Sequence, residues 1–410
     1  MPNEAAKKSL KELMSELSAQ ATEDLMTAHE RGKKVCWASA VIPQEFLLAM
    51  DIEVGYPESQ AAVIAAKGET ERYLSAAMEM GYSNDICSYA RIGLGYASIM
   101  ECDAMPLPKP DFLICINNAC QVMGKWFENV AERFQIPLIL IDAPYNTQTV
   151  VTADRIEYIK AQFRDLIQKL EVICGKPFNY QKLYEVMEVS RQTAAAWKKV
   201  IGYPSMVPSP MNGFNESNYM SQVLTNRGKP RTVELLNAIA QEMEEHIANG
   251  TSQVRHEQKY RIFWNGILCW PYLSYIAKIL KEHNIIFCVA PYALNWLLEY
   301  DAEDIDGLAR VYANRNTNCC TETNVEARAK IMEDYHIDGI LYHLNRSCKS
   351  GAMSLPEIVR QIYAKNGIPY MIFDGDQSDP NNFSKAQFEM KLQALVEAME
   401  SNRQKRGESS

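Results

Sequence analysis

The 410-residue chain is 47% hydrophobic and 23% charged, with a net charge of -9, the composition of a soluble globular protein with room for two or three domains. Its acidic balance is spread along the chain, which argues against a nucleic-acid partner. No leader or membrane span is expected. The basic start at Lys7, Lys8 and Lys11 lies on an amphipathic pattern, and the most apolar uncharged stretch, Ile262 to Ala277, is interrupted by Asn265, Gly266 and Pro271.

Leu10, Leu13, Met14 and Leu17 recur at helical spacing, and the helix they predict ends near Gly32. Lys34 to Trp37 then reads as a strand, Pro43 to Met50 as a helix, and Ile52 to Tyr56 as a second strand closed by Pro57. Asp111 to Ile116 is a third strand. It leads through Asn117, Asn118 and Cys120 into a helix around Trp126 to Phe134, then Ile136-Pro137 and a strand at Leu138 to Ile141. From Asp154 to Gln253 the pattern is mostly helical, with Asn179 as an N-cap and a loop rich in Pro and Gly at Gly202 to Gly213.

The opening grammar then returns: a strand at Tyr260 to Trp264, a helical stretch at Trp270 to Glu282, and a strand at Ile285 to Val289 before Pro291. Gly339 to His343 leads through Asn345 and Cys348 into a helix around Pro356 to Lys365, then Ile368-Pro369 and the strand Tyr370 to Phe373. Phe388, Leu392, Leu395, Val396 and Met399 predict a closing packing helix before the polar tail Ser401 to Ser410. Strands alternating with helices are βαβ units, which right-handed crossovers build into helix-covered parallel sheets. The repeat therefore predicts two similar Rossmann-like α/β lobes, residues 1–153 and 256–410, with a helical region at 154–255 between them.

Eleven cysteines in a leaderless chain point to a reducing, cytoplasmic setting, so disulfides are not expected and thiol or metal chemistry becomes the question. Cys36, Cys115, Cys174, Cys269 and Cys288 lie in apolar segments and read as packing residues. The vicinal Cys319-Cys320 and the exposed-looking Cys102 have no ligand partner at short spacing. Cys120 and Cys348 differ, because the repeat puts both just past the carboxyl end of a strand, where open α/β sheets bind ligands. Two equivalent loops of two lobes can face each other across a cleft; two unrelated core thiols are the alternative. Cys87, in NDICSYAR, precedes a helix whose start favours a thiolate, and a structural cysteine is again the alternative.

Gly93 and Gly95 in GLGYAS imitate half of a dinucleotide fingerprint, but no strand precedes them and the third glycine is missing, so they read as helix packing. The six histidines are scattered. His343 alone sits near a candidate site, and a strand residue with a satisfied ring is the alternative reading.

In this order the segments resemble the 2-hydroxyacyl-CoA dehydratases, specifically the alpha-type subunit that carries the substrate-binding cluster. The likeness covers nearly the whole chain. It includes Trp37 through Pro43-Gln44-Glu45 to Tyr56-Pro57-Glu58, NDICSYAR, and PDFLICINNAC with KWFEN behind it. It continues through SPMNGF at Ser209 to Phe214, CWPY at Cys269 to Tyr272, YHLNRSCK at Tyr342 to Lys349, and FDGDQSDP at Phe373 to Pro380.

The resemblance implies a 4Fe-4S cluster in the interlobe cleft, held by Cys87, Cys120 and Cys348, with the fourth iron open to act as a Lewis acid. In the family mechanism one electron passes to the thioester carbonyl, the resulting ketyl radical anion expels hydroxide, the beta proton leaves, and the electron returns to the cluster. The resemblance further implies a second, related subunit with its own cluster, an ATP-dependent iron-sulfur activator that injects the first electron, and a 2-hydroxyacyl-CoA substrate. It gives Glu58 a polar or proton-handling role, with an exposed turn carboxylate as the alternative.

Ala40 and His343 are expected as substrate-binding neighbours in the cleft. Several relatives carry serine at the position of Ala40, and the adjacent Ser39 points to the opposite face if the segment is extended. Two rivals remain: a subunit of an aromatic acyl-CoA reductase of the benzoyl-CoA type, and a non-catalytic zinc or electron-carrier protein.

Overall fold

The computed structural model describes residues 8–117, 119–300 and 305–407. Lys7, Asn118 and the last three residues of the polar tail, all named above, lie outside that description. Four short runs rich in β-branched and aromatic residues form the first sheet: β1 (Val35–Ala38), β2 (Glu53–Gly55), β3 (Phe112–Ile116) and β4 (Leu138–Ile141). All pairs are parallel and the order is β2-β1-β3-β4. The second sheet holds β5 (Tyr260–Asn265), β6 (Ile285–Val289), β7 (Gly339–Asn345) and β8 (Tyr370–Gly375), again parallel, in the order β6-β5-β7-β8. The two sheets thus share one topology, as the internal repeat predicts. β1, β3, β5 and β6 are buried throughout, which is why they read as continuous apolar runs and not as alternations.

The first sheet is flanked by α1 (Leu10–Met26), α2 (Gln44–Ala49), α3 (Pro57–Ala66), α4 (Glu71–Glu79), α5 (Ser88–Ile99) and α6 (Gln121–Phe134). Ser9 and Glu12 form a capping box that starts α1. In α5 the glycines of GLGYAS serve packing: a Cβ on Gly95 would lie 2.1 Å from the Tyr73 carbonyl oxygen, and one on Gly93 2.2 Å from the Trp126 ring. Four helices join the sheets: α7 (Ala153–Cys174), α8 (Tyr180–Gly202), α9 (Gly213–Asn226) and α10 (Pro230–Ala248). The Asn179 side chain caps α8 by accepting from the Lys182 N–H at 2.9 Å, as expected.

The second sheet carries α11 (Leu273–Glu282), α12 (Pro291–Leu294), α13 (Ile305–Ala313), α14 (Thr321–Asp334), α15 (Lys349–Asn366) and α16 (Lys385–Arg406). Two expectations shift here. The helical stretch from Trp270 opens as a 3₁₀ turn over Trp270–Tyr272 around Pro271, and the α-helix begins at Leu273. At the other end, α16 continues through the polar residues from Ser401 to Arg406. No helix of the described residues is long and apolar enough to cross a membrane.

One face of the first sheet packs in the same core as α7–α10 and α13, through residues such as Phe46, Phe163, Trp197 and Tyr312. A buried ion pair crosses this core. Arg227 donates to both carboxylate oxygens of Glu45 at 2.9 and 3.1 Å, to the Ile42 carbonyl at 2.7 Å and to the Tyr312 hydroxyl at 2.8 Å. Arg227→Ala leaves the Glu45 carboxylate buried without its paired guanidinium and is expected to destabilise the fold by about 3–5 kcal/mol. Adding Glu45→Leu is expected to recover much of that loss, read as the midpoint of urea unfolding.

Candidate functional site

In both sheets the chain runs outward to the edge strand and then returns across the first strand, so the order reverses between β1 and β3 and between β5 and β7. Ligands of open parallel sheets bind beyond the strand ends at such reversals. Cys120 follows β3 and Cys348 follows β7, and each is the N-cap of the helix that comes next, α6 and α15. Cys87 is likewise the N-cap of α5. The backbone N–H groups of Ala90, Met123 and Gly351, three residues on in each case, bear on the sulfurs and pull the thiols toward thiolate without closing a full hydrogen bond. The three sulfurs therefore share one local construction.

They also share one place. Burial pushes the Cys87 thiol up, with further upward pressure from Cys348 and Cys120. Burial pushes Cys120 up to about 11, with Glu58 and Cys348 adding to it. Cys348 is raised by burial as well. The helix start does favour the thiolate of Cys87, as its sequence position suggests, but desolvation outweighs it. A bound cation reverses that balance.

The lobes meet around these thiols. The Ser88 N–H donates to Ser347 Oγ at 3.1 Å, so the neighbours of Cys87 and Cys348 are bonded to each other. Gln377 Nε2 donates to Cys87 Sγ at 3.1 Å, while its Oε1 accepts from Asn345 Nδ2 at 2.5 Å. A buried ion pair between Arg91 and Asp379 at 3.0 Å seals the same seam. Gln377 and Ser347 lie inside the motifs FDGDQSDP and YHLNRSCK, yet nothing local marks either as a site residue; only the folded pairing of the lobes reveals what they touch.

Glu58 stands in the first turn of α3, just past β2. One of its oxygens accepts from the Ala40 N–H at 2.5 Å. Ala40 thus reaches the site through its backbone, whereas Ser39 is fully buried with a hydroxyl that finds no partner. Part of Glu58 stays open to a cavity of about 430 Å³, which Tyr89, Trp270 and Tyr292 also line. Burial raises the Glu58 carboxyl to about 7, opposed by the Ala40 N–H. Trp270 Nε1 donates to the Tyr89 hydroxyl, and burial keeps Tyr89 and Tyr292 protonated. Tyr292 is pushed up further by Glu58 and Cys348, which ties the cavity to the thiol site.

His343 lies within β7. Its ring is 3% exposed, stacks on Phe373 at 5.0 Å and 5°, and donates from Nδ1 to the Ile267 carbonyl at 2.6 Å. Burial pushes its pKa down, so it is a neutral core residue of β7.

Cys36, Cys115, Cys269 and Cys288 are buried, and Cys174 is half-buried at the end of α7. Cys102 corrects its exposed-looking sequence context: it is buried and its sulfur accepts from the Met105 N–H at 3.4 Å. All eleven cysteines are free thiols.

Among the described residues no three His, Cys, Asp or Glu side chains close in as a group that could hold a metal ion. A cubane cluster is wider than one ion and spreads its thiolates over separate iron corners, so its ligands stand further apart. The donor set here is all sulfur, half-buried, and served by backbone N–H groups. That chemistry fits an iron-sulfur cluster.

Fold and site together describe a two-lobed parallel α/β protein with three half-buried thiols at the lobe seam beside a cavity. The chain belongs to the family described as 2-hydroxyglutaryl-CoA dehydratase, D-component, which its residues 39–399 match. It is 40% identical to the (R)-2-hydroxyisocaproyl-CoA dehydratase alpha subunit of Clostridioides difficile, over 98% of this chain and 99% of that one. Identity to the (R)-phenyllactyl-CoA dehydratase alpha subunit of Clostridium sporogenes is 38%, over 97% of each chain. A benzoyl-CoA reductase subunit of Thauera aromatica is 23% identical over 98% of this chain and 96% of its own length.

Proposed function

We propose that this chain is the alpha-type subunit of an (R)-2-hydroxyacyl-CoA dehydratase, a hydro-lyase that removes water from a 2-hydroxyacyl-CoA to give a 2-enoyl-CoA. Cys87, Cys120 and Cys348 hold its 4Fe-4S cluster in this reading. The observation that carries it is the common placing of the three thiols, each at a helix start and all bearing on one another at the lobe seam. When bound, such a cluster supplies one-electron chemistry and a Lewis-acidic open iron.

The protein's own groups supply the rest. Glu58, with a carboxyl near neutrality, exchanges a proton with the substrate, and the Ala40 N–H fixes the oxygen it accepts at. Tyr89, Trp270 and Tyr292 crowd the cavity beside Glu58 and exclude water from it. Gln377 holds the Cys87 sulfur from the opposite lobe.

Both dehydratase relatives are named as alpha subunits, which supports a heterodimer with a second, related subunit; we propose that the partner carries its own cluster and that a separate ATP-dependent iron-sulfur activator starts the cycle. Eleven free thiols suit a reducing cytoplasm. The test is the assembled enzyme under anaerobic conditions, with activator, ATP and reductant, supplied with a set of 2-hydroxyacyl-CoA thioesters. A 2-enoyl-CoA product is expected. A ring-reduced diene from an aromatic thioester would favour the reductase reading, which the lower identity to the benzoyl-CoA reductase chain already disfavours. Turnover by this chain alone, with no prior electron, would contradict the proposal.

A further inference from the structure

We propose that Gln377 raises the reduction potential of the cluster by donating its amide N–H to the Cys87 sulfur, and that Asn345 holds that amide in the donating orientation. The inference rests on the dehydratase reading, in which the three thiols hold a 4Fe-4S cluster, and adds Gln377 and Asn345 to it as positioning residues.

The register of the second sheet brings the pair together. Asn345 ends β7 opposite Gly375, which ends β8, so Asn345 and the loop that holds Gln377 leave the sheet side by side. Both are buried, Gln377 at 1% exposed and Asn345 at 3%. The backbone around Gln377 is fixed. Its carbonyl accepts from the Trp270 N–H at 3.1 Å, and Asp376 Oδ1 accepts from the Ser378 and Asp379 N–H groups at 2.9 and 3.0 Å. An amide can turn either its oxygen or its nitrogen toward a neighbour. Here Asn345 Nδ2 donates to Gln377 Oε1, which commits Nε2 to Cys87 Sγ at 3.1 Å.

This contact sets Cys87 apart. Backbone N–H groups of Met123 and Val122 bear on Cys120, and that of Gly351 on Cys348. Among the described residues a side-chain donor reaches the sulfur at Cys87 alone. As adhesion between the lobes the arrangement is poor, because Asn345 Oδ1 is buried with no partner and costs stability. As a sulfur ligand it is apt: a thiolate has no proton to offer, so it favours an N–H donor over the amide oxygen. One added electron increases the negative charge on the cluster and its sulfurs, and a donor already aimed at sulfur stabilises that charge.

An EPR-monitored redox titration of the anaerobic assembled enzyme tests this. One electron passes from a europium(II) chelate, which becomes europium(III), to the cluster, and the midpoint is read. The partner's signal, identified in a Cys87→Ala preparation, is the internal reference. In Gln377→Leu the equilibrium constant for reduction is expected to fall at least about threefold, a drop of about 30 mV at about 59 mV per tenfold change. Asn345→Leu is expected to lower it less, and to add nothing in a Gln377→Leu background. A residue that only glued the lobes would act in the other direction, since its loss admits water and raises the potential. Where the midpoint lies below the reach of the reductant, the oxidised protein decides: losing the hydrogen bond is expected to raise the terminal Fe–S stretching frequency in the resonance Raman spectrum.

An unchanged or raised potential in iron-loaded Gln377→Leu, or an unmoved stretch, would overturn the proposal. Should that variant not hold iron, Asn345→Leu, which keeps Gln377, decides by the same criterion. Wild-type enzyme without iron would overturn the cluster reading and the proposal with it. A lowered potential in an enzyme that forms no 2-enoyl-CoA would uphold Gln377 and sink the dehydratase reading alone, whereas dehydration with an unmoved potential would do the reverse.

Discussion

Alanine at Cys87, Cys120 or Cys348 is expected to strip iron from the protein and abolish activity, while alanine at Cys115, Cys174 or Cys288 leaves both largely intact. The three proposed ligands have the same setting, an N-cap thiol with a backbone N–H three residues on, and they lie within one another's fields. Losing one leaves two thiolates on a cluster whose fourth iron has no protein ligand. Visible absorption and EPR signal are expected to fall to the partner subunit's contribution alone in each of the three. The controls lose one small packed group, which costs on the order of 1 kcal/mol. Cys115 is the sharpest control, because it is buried in β3 and raised to about 12 by desolvation, with Glu58 and Cys120 bearing on it, yet it ends no strand and starts no helix. Full iron and normal turnover in Cys348→Ala would show that the two lobes do not share a centre.

Glu58→Gln is expected to lower turnover by about 10²–10⁴-fold and to remove the limb of the pH-rate profile centred near 7. Glutamine keeps an oxygen to accept the Ala40 N–H but cannot exchange a proton. Stability moves the other way. The folded carboxyl keeps its proton up to about pH 7, whereas a free glutamate releases its own near 4.5. The unfolded state thus binds fewer protons between these values, and the wild type loses stability as pH rises through them. Since Glu58 is partly open to the cavity, that loss is on the order of 2 kcal/mol. The variant should match the wild type near pH 4.5 and exceed it at pH 8, measured by urea unfolding. Lower activity with no change in the pH profile would assign Glu58 a structural role only.

The parts of this fold that were legible in the sequence are those written locally. Leu138 to Ile141 and Ile285 to Val289 are uninterrupted apolar runs closed by loops, and both strands begin and end where that pattern does. The repeated strand-loop-helix grammar located Cys120 and Cys348 past equivalent strands, because topology and not side-chain detail sets those positions.

What escaped was long-range. The bond from Gln377 to Cys87 and the bond from Ser88 to Ser347 join residues about 260 to 290 positions apart. The Arg227–Glu45 pair likewise spans 182 positions. No local pattern encodes such partners. Along β7 alternate residues face opposite sides, and the His343 face turns toward Trp264 and Phe373.

Metal analysis of the chain isolated anaerobically with its partner subunit, using Cys87→Ala, Cys120→Ala and Cys348→Ala to subtract the partner's share, tests the central claim most directly. About four iron and four acid-labile sulfides attributable to this chain are expected, the content of one cubane cluster on three thiolates. Stoichiometric zinc without iron, or iron unaffected by all three substitutions, would contradict the account.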